Sequence, residues 1–301
     1  MRRNGIGLAA ALLLLGSALE TPAQDRRPPQ KLPEGVKVER DLAYVPGGHE
    51  RQKLDLYLPE KKPDAPLPLI VWVHGGGWQG GSKQSPPGLW LVKKGYALAS
   101  INYRLSQHAK FPAQIHDCKT AIGWLRANAK KYDLDPQHVG AWGASAGGHL
   151  VALLGTTGNG KNLEVTGPGA KYPSRVQAVV DLFGPTDLLV LAGKRGGAES
   201  PIGKLLGGPA SEHAEEAKQA NPITYVSKDS APFLILHGDK DTLVPLSQSQ
   251  LLVDALKKAG VEVRLITLKG AGHGGEAFGK PEVRQAVDDF FDKHLKGGAK
   301  K

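Results

Sequence analysis

Strand-like runs recur along the chain at 36–44, 52–58, 67–73, 97–101, 139–143, 178–183, 233–237 and 261–268, separated by stretches rich in Gly, Pro, Asn and Asp. Most are short and nearly continuous in Val, Ile, Leu and Ala, the pattern of strands buried on both faces. After the third run they alternate with segments of helical period at 114–132, 146–154, 247–259 and 281–296. In the last of these Val283, Ala286, Val287, Phe290, Phe291 and Leu295 recur at three- and four-residue spacing, which gives one apolar face. The alternation predicts an α/β architecture, a mostly parallel eight-stranded sheet with helices on both faces. The stretch 187–225, between the sixth and seventh runs, clusters Gly, Pro, Lys and Glu. It reads as an insertion above the sheet, either a small cap or a surface excursion of two short helices.

Composition agrees with one large domain over 36–296: 301 residues, 40% hydrophobic and 23% charged, can bury a substantial core, and no internal repeat or low-complexity tract interrupts them. Residues 1–23 have the form of a secretory signal peptide: Arg2 and Arg3, an apolar stretch 6–15, then Thr21-Pro22-Ala23 suited to cleavage. That stretch is shorter than the roughly 20 apolar residues of a membrane span, so no stable span is expected. Residues 24–35 read as a mobile leader, 297–301 as a basic tail, and the protein as exported, periplasmic or extracellular. The single cysteine, Cys118, rules out an intramolecular disulfide. The formal net charge of +10 comes from scattered lysines and arginines. With no basic stripe interleaved with aromatic residues, no nucleic-acid partner is expected.

The candidate chemistry sits where apolar runs end. Val139 to Ala144 leads into Gly143-Ala144-Ser145-Ala146-Gly147, the Gly-x-Ser-x-Gly form of a nucleophile elbow, in which a tight strand-to-helix turn exposes a serine hydroxyl. Leu69 to Val73 runs into His74-Gly75-Gly76-Gly77-Trp78; glycines there let backbone amides approach a substrate, so Gly76 and Gly77, with the amide of Ala146, form a candidate oxyanion hole. The loop has neither the Gly-Lys-Ser/Thr of a phosphate loop nor the Gly-x-Gly-x-x-Gly of a dinucleotide site. Phe233 to Leu236 ends in a loop with two carboxylates, Asp239 and Asp241, and a last strand-like run leads to His273 between glycines. Serine, acid and histidine fall in that chain order, which excludes chymotrypsin-like and subtilisin-like arrangements. Of ten histidines only His273 combines this order with a loop at a strand's carboxyl end; His74 reads as a brace of its loop and His149 as a buried histidine behind the elbow.

These motifs, with Asn102-Tyr103-Arg104-Leu105 and Asp187 after the sixth run, make the chain similar to α/β-hydrolases of the esterase/lipase type, close to the hormone-sensitive-lipase-like and BD-FAE (feruloyl and acetyl xylan esterase) groups, over residues 36–296. The resemblance implies the α/β-hydrolase fold. It also implies a triad of Ser145, Asp241 and His273, with Asp239 shaping its loop and Asp187 as the rival acid. The implied activity is hydrolysis of carboxylic esters through an acyl-enzyme, with no metal or organic cofactor. Its implied substrate is a small ester or an esterified polysaccharide, acetyl or feruloyl xylan. Trp78, the candidate substrate-binding residue, and Trp142 stand beside the glycine loop and the elbow, as aromatic platforms or equally as packing residues. A general short-chain carboxylesterase or lipase, and a non-catalytic binding protein on the same fold, are the alternatives.

Overall fold

A computed structural model of the chain describes residues 31–158, 163–165, 170–193 and 196–297. The proposed signal peptide, most of the leader and most of the basic tail lie outside the described residues. Eight strands, β1 (Val36–Ala43), β2 (Lys53–Pro59), β3 (Leu67–Val73), β4 (Ala97–Ile101), β5 (Leu134–Ala144), β6 (Ala178–Leu182), β7 (Phe233–Gly238) and β8 (Val263–Leu268), form one sheet in the order β1-β2-β4-β3-β5-β6-β7-β8. The β1–β2 and β2–β4 pairs are antiparallel and the rest are parallel, as the alternation of strand and helix predicts.

Because side chains alternate across a strand, one run serves two cores. In β3, Leu69, Val71 and Val73 face one side with α2 (Ala113–Ala127), α3 (Ala146–Thr157) and α7 (Ser247–Lys258). Ile70 and Trp72 face the other, with α1 (Leu89–Lys93) and α8 (Pro281–Leu295). Trp142 belongs to that second core: it is 4% exposed and meets Trp72, Trp90 and Phe291 edge-on, so it packs beneath the sheet and is no platform for substrate.

The insertion at 187–225 holds three short helices, α4 (Leu188–Ala192), α5 (Pro201–Leu206) and α6 (Ala214–Ala220), and a 3-10 turn at Pro222–Tyr225. Their apolar sides, including Leu188, Ala192, Ile202, Leu205 and Ala217, join the core on the α3 face. The loops after β3, β5, β7 and β8 all open at the carboxyl end of the parallel strands, where ligands meet open α/β sheets.

Candidate active site

Ser145 stands between β5 and α3 with φ 56° and ψ −121°, a conformation that costs a side-chain-bearing residue about 1 to 3 kcal/mol. The surroundings impose it. The Ser145 amide donates to Leu182 O at 2.8 Å, and its carbonyl accepts from the His149 amide at 2.9 Å as the first turn of α3. The flanking glycines are required by contact: a Cβ at Gly143 would overlap the carbonyl of Gly147, and one at Gly147 would overlap the carbonyl of Val73. The turn therefore presents the hydroxyl at the N-terminus of α3, where orphan amides and the helix dipole favour negative charge.

His273 Nε2 lies 2.8 Å from Ser145 Oγ, and His273 Nδ1 lies 2.6 Å from Asp241 Oδ2. The carboxylate makes the Nδ1 position a donor, which leaves Nε2 as the acceptor for the serine hydroxyl. Asp241 is itself fixed: its Oδ1 accepts the amides of Leu243 and Val244, both at 2.9 Å, and its side chain is fully buried. The rival carboxylates are committed elsewhere. Asp239 Oδ1 accepts the Gly270 amide at 2.7 Å, and Asp187 caps α4 by accepting from Leu189 and Val190.

Two supporting residues lie in the segments around Asp187 and Asp241 that carry the family resemblance, but their roles were not legible there. His237, fully buried at the end of β7, donates from Nε2 to Val244 O at 2.7 Å and accepts at Nδ1 from the Ser249 hydroxyl at 2.7 Å. Burial keeps this imidazole below the usual histidine range, so it is neutral and holds the 241–244 turn; its longer approach to Asp241 Oδ2 is 3.3 Å. Phe183, with a left-handed φ of 46°, lays its ring 4.5 Å from that of His273 and also meets His237 and Phe278. A histidine ending a strand and a phenylalanine ending another look like core residues until the loops above them are known.

The glycine loop lies against the elbow: a Cβ on Gly75 would stand 2.7 Å from Ala144 O and 3.2 Å from Ser145 Cβ. Gly76 and Gly77 adopt φ 111° and 58°, and Gly76 O accepts from the amides of Gln79 and Gly80, each at 3.0 Å. Among the described residues none accepts a hydrogen bond from the amides of Gly76, Gly77 or Ala146. These residues line one cavity of about 700 Å³ with Ser145, His273, Phe183, Leu191, Ala192, Ile202, Val244 and Pro245. The insertion thus supplies one wall. Apart from His273, the lining carries no ionisable side chain among the described residues.

Trp78 borders this cavity, yet its indole is only 3% exposed, stands edge-on to His149 and donates to His149 Nδ1 at 3.3 Å. The aromatic platform expected of it is therefore turned inward, and its ring braces the loop instead. His149 passes the brace on by donating to Ala220 O at 2.7 Å.

Burial lowers His149 to about 4 and His74 to about 3, whereas it raises the enclosed Asp181 to about 7. Between pH 6.5 and those values the folded chain holds fewer imidazole protons than the unfolded one, so this stability is present above about pH 6.5 and lost as the pH falls. Asp181 has the opposite sign: its folded form keeps a proton that the unfolded carboxyl releases, and its contribution is lost as the pH rises toward 7. Urea unfolding midpoints are therefore expected to fall between pH 6.5 and 4, and to fall more steeply in Asp181→Asn. A midpoint flat across that window in both proteins would contradict the buried neutral imidazoles.

Comparison with known proteins adds the family. The profile of the BD-FAE family matches residues 54–256. Esterase LipC of Mycobacterium tuberculosis is 33% identical over 265 residues, which cover 85% of this chain and 65% of LipC. This chain thus spans just under two thirds of that relative's length. Among solved structures, a truncated form of a carbohydrate esterase from gut microbiota superposes with a TM-score of 0.79 at 34% identity, covering 86% of this chain and 96% of that one. An acetyl ester-xyloside bifunctional hydrolase from Caldicellulosiruptor lactoaceticus gives a TM-score of 0.64 at 30% identity, covering 81% and 87%.

Proposed function

Because this chain belongs to the BD-FAE family, we propose that it hydrolyses carboxylic esters through an acyl-enzyme on Ser145. The observation that carries the proposal is the unbroken chain from Asp241 to His273 to Ser145, at 2.6 and 2.8 Å, beside amides with no partner among the described residues. His273 Nε2 takes the Ser145 proton as Oγ bonds to the ester carbonyl carbon. Asp241 holds the imidazole and stabilises its charged form. The carbonyl oxygen, now negative, accepts from the amides of Gly76, Gly77 and Ala146, and the dipole of α3 adds to their effect. His273 then gives its proton to the leaving alcohol, and a water molecule repeats the sequence on the acyl-enzyme to release the acid. No step calls for a metal or an organic cofactor.

For the substrate, we infer acetyl or feruloyl esters of a plant polysaccharide such as xylan. The names borne by the two similar structures, a carbohydrate esterase and an acetyl ester-xyloside hydrolase, support the acetyl and carbohydrate parts of this reading, and the export expected from the sequence pattern at 1–23 would bring the enzyme to the polymer. A general short-chain carboxylesterase is the second reading, favoured by the apolar walls at Leu191, Ala192, Ile202 and Val244 and by the similarity to LipC. Hydrolysis of p-nitrophenyl acetate, p-nitrophenyl octanoate, methyl ferulate and acetylated xylan, each against Ser145→Ala, separates the two. Serine-dependent release from xylan or ferulate is the expected result. Release from the nitrophenyl esters alone would replace it with the second reading.

A further inference from the structure

The outer side of the glycine loop is held by a residue distant in sequence. Arg51, in the turn between β1 and β2, is partly buried, and its guanidinium is committed to this loop and its neighbour strand. Nε donates to Tyr103 O at 2.9 Å, and Nη2 reaches Gly81 O at 2.8 Å, His74 Nε2 at 3.1 Å and Asn102 Oδ1 at 3.5 Å. A guanidinium has no lone pair to offer, so His74 Nε2 is the acceptor in this contact.

A neutral imidazole then carries its proton on Nδ1, and His74 Nδ1 lies 2.8 Å from Gly75 O, where it donates. Burial is the main reason His74 stays neutral, and the Arg51 charge acts in the same direction. The ring cannot readily turn over: it stacks on Tyr103 at 4.4 Å, and the Tyr103 hydroxyl donates to His74 O at 3.0 Å. In a trans peptide the carbonyl and the following amide point in opposite directions. With Gly75 O held toward His74, the amide of Gly76 is turned away from it, and Gly76 lines the cavity.

The geometry points to Arg51 as a positioning residue: by donating to His74 Nε2 it selects the imidazole tautomer that holds Gly75 O and so aims the Gly76 amide at the oxyanion. The inference rests on the ester-hydrolase reading of the site. In the other tautomer two lone pairs, on Nδ1 and on Gly75 O, would face each other across that contact, and the peptide would rotate to avoid them. Arg51 touches no reacting atom, so its effect must pass through His74.

A double-mutant cycle on the full chain tests this. Arg51→Met keeps the aliphatic stem and removes the donors; it is expected to lower kcat on p-nitrophenyl acetate about 10- to 100-fold, less than the 10²- to 10³-fold typical of deleting an oxyanion donor, with KM within about threefold. In His74→Asn the side-chain amide donates to Gly75 O with no tautomer to select, so Arg51→Met is expected to change kcat little in that background. An equal loss in both backgrounds would overturn the inference. Ring ¹⁵N spectra of the wild-type protein test it without any variant: His74 is expected to carry its proton on Nδ1, and a His74 protonated on Nε2 overturns the relay. Ester turnover that survived in Ser145→Ala would refute the underlying site reading, and the tautomer spectrum would still judge the Arg51–His74 link separately.

Discussion

Ser145→Ala is expected to remove about 10⁶-fold from kcat on a short nitrophenyl ester while leaving KM nearly unchanged, the size of loss seen when the nucleophile of a serine hydrolase is deleted. The variant keeps the cavity, the free amides and the helix N-terminus, so substrate still binds. What it loses is the atom that bonds to the carbonyl carbon. The backbone strain at φ 56° is borne by alanine as by serine, so the fold is expected to hold, with an unfolding midpoint close to wild type. Steady-state kinetics and a thermal melt on the same preparation check both parts. A loss of activity accompanied by unfolding would mean that Ser145 serves the turn rather than the chemistry.

Asp241→Asn is expected to cost about 10⁴-fold in kcat, and the reason lies in how the carboxylate is held. The amides of Leu243 and Val244 both donate to Oδ1, so an asparagine keeps its oxygen there and presents its NH₂ group at the Oδ2 position. That group donates to His273 Nδ1. The imidazole proton then moves to Nε2, where it faces Ser145 Oγ and blocks transfer of the serine proton. Asp239→Asn is the contrast: Asp239 is exposed, its carboxylate accepts only the Gly270 amide among the described residues, and the change is expected to alter kcat less than about threefold. Comparable losses in the two variants would contradict the assignment of the acid.

Periodicity made the central strands legible because β3, β4, β6 and β7 are nearly unbroken apolar runs. The elbow was legible because only glycine fits where Gly143 and Gly147 meet backbone carbonyls. Elsewhere local pattern and three-dimensional packing part company. β5 begins at Leu134, not at 139, because Leu67 pairs with Leu134 across a register shift; the polar stretch Asp135 to His138 hides that extension. The helix expected over 114–132 ends at Ala127, where the Asn128 side chain turns back to the Trp124 carbonyl and Asp133 takes a left-handed φ of 52°. Trp78 and Trp142 looked alike in the sequence, since both flank glycine-rich motifs; one braces His149 and the other packs under the sheet. The roles of Arg51 and His237 were not legible for a different reason. Each works through a hydrogen bond to a loop that the chain reaches only after a strand crossover or a turn, and no local pattern marks such a partner.

The most direct test of the account is to trap the nucleophile. The protein is incubated at pH 7.5 with a p-nitrophenyl phosphonate ester, which a serine hydrolase attacks but releases very slowly, and the adduct is located by peptide mass spectrometry. The account predicts one phosphonyl group per chain, on the peptide carrying Ser145, with labelling slowed in Asp241→Asn and abolished in Ser145→Ala. A phosphonyl group on any other residue, or unlabelled protein that still hydrolyses p-nitrophenyl acetate, would contradict it.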